Sequence, residues 1–525
     1  MTCVSFVILP PQFYSNVLHH TAQFLNLPET RIKPFVVGVQ NDFGMMNPAR
    51  RATNYLQAST QRHVEINIRM TQAKTKAEVI TEIDNNLPRM NFFNLVTAST
   101  KLGRLTDKTV PEELQMQCTD TLRDRLKVCT SIIDFECDST DGGQWAMLVW
   151  SCAKLKWYDE DMISTSLKGV LRAAREGCFR EQNDKMFPRH LAACMWACGA
   201  FQFGSCNANS KLHNFGKETE DTVRALIPLM EKFLPQFIES RQLSNVSWAA
   251  AKLLPLAKDD CCRLVDAIGK EIVANRSLDS FQSQHLSNLV WSMAKTNNGE
   301  NKVLLDEIAK HSAQRWNSFS PQEYVTVVWS FATLNHTNKD FLDVSVAHAL
   351  PALLPRFGPQ DYSNLAWSLP KFPYSFPESF LNKFAVCFCS YAQSNRGRWN
   401  LQHVCNLGLG LTELQVWRED VFKTILFMSQ RMISLSAVPM DLCHLATIFA
   451  RVPLTTLPYD AYRSFVEQLV SHLTTKVSSL KPKDMAEMCR ACGVFLQRGT
   501  DNFTAPVSGG SASSTAPAKS NSVLH

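Results

Sequence analysis

The sequence predicts an all-α fold: an α-solenoid of about ten helix–turn–helix repeats, each ~38–53 residues long, wound as a right-handed superhelix. Three observations predict it. A short pattern recurs along the chain, the apolar positions around it follow the helical period, and no stretch shows sustained strand alternation. We expect the solenoid to cover residues 81–499. An irregular leader or partial repeat (1–80) precedes it, and a disordered Ser/Gly/Ala/Pro tail (500–525) follows.

The recurring pattern is centred on a tryptophan. Residues 284–295 read QHLSNLVWSMAK, residues 360–371 read QDYSNLAWSLPK and residues 241–252 read RQLSNVSWAAAK. A solenoid grows by adding such units, so a length of 525 residues does not require several domains. Copies at both ends lack the tryptophan, as expected for the capping units of a stack. The central residues are Thr97, Trp150, Trp196, Trp248, Trp291, Trp329, Trp367, Leu409, Thr447 and Arg490.

Each repeat is predicted to contain two helices, and residues 319–357 show this best. Ser320 and Glu323 have the spacing of a capping box, and Pro321 stands at the first helical position. The first helix should end near Leu334. A polar turn at 335–339 should then lead into a second helix.

Numbering each copy from its central residue, position 0, separates an apolar face from a polar stripe. Positions −5, −2, +2 and +5 are mostly apolar and predict the face that packs inward. We interpret the tryptophans as core wedges rather than stacking platforms, because positions −2 and −1 are apolar as well. Positions −7, −3, +1 and +4 form the polar stripe, in which the small residues at +1 leave room for a bound strand.

The basic residues at position +4 are candidate phosphate contacts in the polar stripe. Stacked repeats would align them in one row, and lysines supply salt-dependent affinity for nucleic acid. Alternatively, they complement the dipole at the helix C-terminus. These candidates are Lys101, Lys154, Lys252, Lys295, Lys371 and Arg451.

Amides, hydroxyls and imidazoles at positions −3 and −7 are candidate base readers, because such groups pair with exposed base edges. An asparagine that recurs at one position can equally hold the fold together. Position −6 is polar and variable, and its residues either read bases or are ordinary first-turn residues. The candidate base readers are Asn94, Asn245, Asn288, Thr326, Asn364, Asn406 and His444 at −3, with Gln284, Gln322 and Gln360 at −7.

Composition restricts the other classes of function. The net charge of +6 allows an anionic partner without requiring one. The 17 cysteines lie mostly in apolar helical patterns and predict buried thiols in a reducing compartment. No apolar run is long enough for a membrane span. The sequence has no P-loop, HExxH, GxSxG or dinucleotide-binding pattern, so we expect no enzyme activity, catalytic residue, metal, cofactor or small-molecule substrate.

The pattern resembles the octotricopeptide repeat, PQ-x-x-(S/A)-N-x-x-W-(S/A)-x-A-x-L, through PQEYVTVVWSFATL (321–334) and PQDYSNLAWSLPKF (359–372). It is also similar to heptatricopeptide-type repeats and to the repeats of FAST-kinase-like and RAP-domain organellar proteins. The resemblance implies a solenoid that binds single-stranded RNA in a mitochondrion or plastid and affects transcript stability, processing, translation or rRNA assembly. Only the tail from Thr500 follows the last repeat, so we expect no RAP-type domain.

Two functions therefore compete. The first is sequence-selective binding of single-stranded RNA along the polar stripe. The second is a protein–protein scaffold of HEAT or armadillo type, in which the same face holds a peptide or a partner helix. The leader is a poor transit peptide, so the cytoplasm is the alternative to an organelle.

Overall fold

The computed structural model describes residues 61–107, 110–131, 142–177, 179, 187–205, 216–436 and 438–501. These residues form helices and turns without a β-strand, which confirms the all-α prediction. Residues 1–60 of the predicted leader and 502–525 of the predicted tail lie outside the described residues.

The described residues include 21 α-helices. In chain order they are α1 (Lys76–Asn86), α2 (Phe92–Arg104), α3 (Glu112–Ser131), α4 (Gly142–Leu155), α5 (Glu160–Glu176), α6 (Phe187–Ser205), α7 (Gly216–Phe233), α8 (Ser240–Lys252), α9 (Leu254–Asn275), α10 (Ser283–Lys295), α11 (Lys302–Gln314), α12 (Pro321–Thr333), α13 (Lys339–Val344), α14 (Leu350–Leu353), α15 (Pro359–Ser368), α16 (Glu378–Ser394), α17 (Leu401–Glu413), α18 (Glu419–Ser436), α19 (Pro439–Arg451), α20 (Tyr459–Lys476) and α21 (Pro482–Asp501).

Two kinds of helix alternate along the chain. All ten position-0 residues lie on helices that we call anchor helices: α2, α4, α6, α8, α10, α12, α15, α17, α19 and α21. The helices between them are the partner helices. The partner segment after α12 consists of α13, a π-helical turn at Ser345–Ala349, and α14.

The chain divides into two compact units, and the boundary in the sequence lies between Leu122 and Arg123. In the first unit α1 packs against α2. Residues 61–72 are helical there and bury Ile66 and Met70, so part of the predicted leader or partial repeat is a packed helix.

In the second unit each anchor helix from α4 to α21 packs against the next anchor helix. The partner helices from α5 to α20 do the same in their own layer, with α13, the π-helical turn and α14 as one segment. This stacking in sequence order confirms the predicted solenoid. The handedness of its superhelix stays a prediction.

The predicted helix boundaries in residues 319–357 are confirmed. The Ser320 hydroxyl accepts a hydrogen bond from the Glu323 amide (3.3 Å), and the Glu323 carboxylate accepts one from the Ser320 amide (2.8 Å). Two backbone donors that the helix cannot satisfy are paired in this way. At the other end Asn335 has a positive φ of 51°, and the second helix begins at Lys339.

The apolar columns form the core, as predicted. Position −5 is buried in eight consecutive anchor helices, α4 to α19, and burial of one such large side chain stabilises the fold by about 1.5–3 kcal/mol. These residues are Trp145, Leu191, Leu243, Leu286, Tyr324, Tyr362, Val404 and Leu442.

The described cysteines are all free thiols, and most are buried, as predicted. Burial raises the pKa of the Cys118 and Cys389 thiols to about 11. Thiols with such high pKa values are protonated at neutral pH and behave as small apolar side chains. Their role here is packing.

Candidate nucleic-acid interface

One face of each anchor helix lies opposite the buried columns. At about 100° per residue, positions −5, −2, +2 and +5 lie about 140–220° around the helix from position 0. Positions −7, −3, 0 and +4 fall within about 60° of one another on the other side. In α10, Leu286 and Met293 are buried, Asn288 and Trp291 are half-buried, and Lys295 is exposed. We call positions −7, −3, 0 and +4 of the second unit's anchor helices the anchor face.

The six tryptophans lie on this face, so their assignment to the core is wrong. Each is half-buried, and their indoles form a ladder across successive anchor helices. The ring centroids of Trp196 and Trp248 are 6.4 Å apart, and those of Trp329 and Trp367 are 6.0 Å apart, both in stacked orientation. Trp150 meets Trp196 at 6.4 Å with tilted rings. Offset stacks of this kind stabilise one another while one edge of each ring stays accessible.

Four of the predicted lysines lie against the same ladder. The Lys154 ammonium lies 5.8 Å from the Trp196 ring centroid, and that of Lys371 lies 4.1 Å from the Trp367 ring. At exposed sites each such cation–π contact contributes about 0.5–1 kcal/mol. It also places the ammonium beside the ring.

Lys252 and Lys295 bridge consecutive tryptophans. The Lys252 ammonium lies 5.8 Å from the Trp248 ring centroid and 5.1 Å from that of Trp291. The Lys295 ammonium lies 5.8 Å from Trp291 and 5.2 Å from Trp329. Indoles and ammonium groups therefore form one row from Trp150 to Lys371, which we call the Trp–Lys ladder.

The ion pairs of the two layers differ. Within the described residues no carboxylate forms an ion pair with Lys154, Lys295 or Lys371. Four lysines of the partner helices have such a partner in the same helix, in the pairs Lys270–Asp266, Lys310–Glu307, Lys339–Asp343 and Lys423–Glu419. Lys154, Lys295 and Lys371 therefore keep their charge available for an external anion.

Two predicted phosphate contacts do not join the ladder. Lys101 lies in the first unit, where its ammonium donates to the Thr71 carbonyl at 2.6 Å and ties two helical segments together. Arg451 lies 3.8 Å from the carboxylate of Glu413, which occupies position +4 of the preceding anchor helix. The basic row thus ends in a weak ion pair after Lys371.

Amides at position −3 lie one turn before Trp248, Trp291, Trp367 and Leu409. Asn245, Asn288, Asn364 and Asn406 are half-buried, and their side chains form no hydrogen bond with any described residue. An amide offers two donors and one acceptor, so these groups suit base edges. His444 is half-buried in the same column.

Asn94 differs from the other candidates at position −3, and its assignment to base reading is wrong. It is fully buried in the first unit, and its amide nitrogen donates to the His63 carbonyl and to Asn67 Oδ1, each at 2.9 Å. Its carbonyl accepts from the Asn91 amide at 3.2 Å. Asn94 therefore holds two helical segments together.

Thr326 is the one hydroxyl among the candidates at −3. It is half-buried, and its hydroxyl donates to the Gln322 carbonyl at 2.7 Å. Its donor is thus used within the helix. The predicted glutamines Gln284, Gln322 and Gln360 are exposed at position −7, at the edge of the anchor face.

Side chains at position −6 cap several anchor helices, which favours their interpretation as ordinary first-turn residues there. Nδ1 of His285 and of His403 accepts the backbone N–H of Gln282 and Asn400, respectively. Asp361 accepts the Gly358 N–H at 2.9 Å in the same way. Burial lowers the pKa of both histidines and raises the pKa of Asp361.

The small residues at position +1 are buried between anchor helices, so they leave no room for a strand as predicted. The hydroxyls of Ser292, Ser330 and Ser368 donate to carbonyls of their own helices at 2.6–2.7 Å. A side chain at Gly410 would overlap the Ala366 carbonyl. Small residues at +1 therefore let neighbouring anchor helices approach closely.

The tryptophans are the functional candidates that the sequence interpretation missed. The apolar neighbours at −2 and −1 suggested burial, but position 0 lies about 180° from the centre of the apolar columns. That angle was the sequence signal that could have placed the tryptophans on the anchor face. Pairing of Lys154, Lys252 and Lys295 with the next repeat's tryptophan had no sequence signal, because it depends on how the helices stack.

Other site chemistry is lacking in the parts of the chain that the structure covers. They contain no cluster of three or more His, Cys, Asp or Glu side chains able to hold a metal ion. None of their helices combines the length and apolar character that a membrane span requires. Comparisons with protein-family models and with curated proteins found no match to this chain.

Proposed function

We propose that the protein binds single-stranded RNA along the anchor face from α4 to α15. The observation that carries this proposal is the Trp–Lys ladder, which combines aromatic surface, the ammonium groups of lysines and unpaired amides in one row. Each of the three suits a different part of a nucleotide. Duplex RNA would keep its bases stacked within the helix and away from the indoles.

The three side-chain types bind different parts of the RNA. Ammonium groups bind phosphates and release condensed counterions, which supplies most of the affinity. Indole surface stacks with bases regardless of sequence. Amides at position −3 read base edges and add sequence preference. The proposed activity is binding alone, with no catalytic step.

The resemblance to octotricopeptide-type repeats supports an organellar role for this binding. The proposed role is in RNA stability, processing, translation or rRNA assembly in a mitochondrion or plastid. A bound solenoid can act in any of these by covering a segment of transcript or by recruiting a protein along its length.

Substitution of the ladder lysines tests the proposal. We expect Lys252→Gln/Lys295→Gln/Lys371→Gln to weaken binding of a fluorescent single-stranded RNA by at least about tenfold. The slope of log affinity against log salt should fall by about 2, since each phosphate contact contributes ~0.7 on a single strand. The matched control is Lys302→Gln/Lys310→Gln/Lys383→Gln, which removes the same charge from partner helices α11 and α16. The control should bind as the wild type does.

Selection from a random RNA pool tests the sequence preference. We expect an enriched motif, and we expect Asn245→Ala, Asn288→Ala or Asn364→Ala to relax it at one position each. RNA binding at this face would be refuted if the ladder lysine variant and its control lost RNA affinity equally, or if the wild type did not bind RNA. Capture of a defined protein whose binding needs the same lysines would favour the scaffold alternative.

A further inference from the structure

The Trp–Lys ladder has two kinds of step. Indole meets indole between Trp150 and Trp196, Trp196 and Trp248, and Trp329 and Trp367. A lysine fills the steps on either side of Trp291: Lys252 on the Trp248 side and Lys295 on the Trp329 side. The second kind occurs in the middle of the ladder.

Trp291 therefore differs from the other five tryptophans. It forms no ring contact with another aromatic side chain of the described residues. Its neighbours are the Lys252 ammonium at 5.1 Å and the Lys295 ammonium at 5.8 Å. An ammonium on a flexible stem moves at little cost, whereas an indole fixed in a helix packing does not.

We propose that Trp291 is the principal base-stacking residue of the ladder, and that Lys252 and Lys295 turn from its ring to the flanking phosphates when RNA binds. This inference rests on the proposed function. The paired indoles serve mainly as the rigid frame that holds the row in register.

The exchange is favourable because each lost contact is replaced. A base takes the position of an ammonium beside the Trp291 indole, so base–aromatic stacking replaces a cation–π contact. The displaced ammonium gains a phosphate, which is a full negative charge rather than the partial charge of a ring. At the paired steps a base would have to break an indole–indole contact.

Asn288 lies one helical turn before Trp291 and is half-buried, with an amide that no described residue pairs. A base stacked on Trp291 presents its edge toward this amide. Adenine suits it best, because an asparagine amide matches the adenine N6 donor and N7 acceptor with two hydrogen bonds. The stacking step at Trp291 is thus also the step at which the edge of the base is read.

The test compares single tryptophan substitutions on a short fluorescent oligoadenylate. We expect Trp291→Leu to weaken binding at least about fivefold, as loss of one stacked base does elsewhere. Trp196→Leu, which removes a paired indole, should weaken binding clearly less than Trp291→Leu does. Trp291→Phe should recover much of the loss, and circular dichroism should show the same helix content in all variants.

An abasic strand of the same length separates stacking from phosphate binding. The wild type and Trp291→Leu should bind it equally, because no base is present to stack. Two results would overturn the role of Trp291 and leave RNA binding itself intact. In the first, Trp196→Leu loses more affinity for the oligoadenylate than Trp291→Leu does. In the second, Trp291→Leu loses as much affinity for the abasic strand as for the oligoadenylate. No binding of either strand by the wild type would overturn the proposed function as well.

Discussion

Asn94 and Asn288 occupy the same position of the repeat but have different surroundings. Asn94 is buried with three hydrogen bonds, two to an earlier helical segment and one to its own N-cap. Asn288 is half-buried without a partner in the described chain. Their substitutions should therefore separate stability from binding.

We expect Asn94→Ala to lower the free energy of unfolding by about 2–3 kcal/mol, because it removes the three hydrogen bonds of a fully buried amide, one of which caps α2. Asn288→Ala should change it by less than about 0.5 kcal/mol. Urea denaturation followed by circular dichroism measures both. A large loss of stability in Asn288→Ala would show that its amide is structural.

His285 and His403 make the fold sensitive to pH. Burial lowers their folded-state pKa values below the ordinary 6.5, so the unfolded state binds more protons near that pH. Their contribution to stability is complete above the unfolded pKa and is lost as the pH falls through the folded pKa. Protonation of Nδ1 also removes the acceptor that caps α10 and α17.

We expect the melting temperature to fall between pH 7 and pH 5. His285→Gln/His403→Gln should flatten this dependence, because glutamine is an established partner at this capping position and does not titrate. Buried His311 and half-buried His336, whose pKa values are also lowered, should leave a residual slope. An unchanged slope in the double variant would rule out the two capping histidines as its source.

At the scale of the helices, the spacing between anchor helices depends on small residues. The α-carbon of Gly410 in α17 faces the backbone of Ala366 and Trp367 in α15, where an added Cβ would overlap the Ala366 carbonyl. This close approach brings one anchor helix against the next and so sets the position of the anchor face.

We expect Gly410→Ala to destabilise the fold by about 1–3 kcal/mol, because backbone atoms rather than a flexible side chain must shift. The matched control is Gly397→Ala, whose added Cβ meets no atom within 4 Å. Calorimetric melting of both variants gives the comparison. Equal melting temperatures would mean that the two helices can separate without cost.

Sequence patterns predicted the positions of the helices better than the contacts of individual side chains. The capping box at Ser320 and Glu323 depends on contacts three residues apart, and it could be identified from spacing alone. The role of Asn94 could not, because His63 and Asn67 are distant in sequence and lie in the segment with the weakest pattern. The same limit applies to Lys252, whose second tryptophan belongs to the next repeat.

At the scale of the second unit, the row of basic residues at position +4 does not continue through all anchor helices. Position +4 is lysine in α8, α10 and α15, but it is Glu413 in α17, where it faces Arg451 across 3.8 Å. Glu413 is exposed, so its substitution does not disturb the core. We expect Glu413→Lys to extend the row and strengthen RNA binding about two- to fivefold. The salt slope should steepen by about 0.7, as one added phosphate contact predicts.

The solenoid itself was predictable because one pattern returns along the chain and sequential stacking follows from it. The candidate RNA-binding face was half predictable. The Lys and Asn columns at +4 and −3 were identified as candidates, whereas the tryptophan column between them was assigned to the core. The anchor face therefore contains position 0, the tryptophan, in place of position +1 of the predicted polar stripe.

Photochemical cross-linking most directly tests binding at the anchor face. The wild-type protein is irradiated with single-stranded RNA that carries 4-thiouridine, and the cross-linked peptides are identified by mass spectrometry. We predict that the cross-links fall on α8, α10, α12 and α15, with the strongest near Trp291. Cross-links concentrated on partner helices such as α9, α11 and α16 would contradict RNA binding along the Trp–Lys ladder.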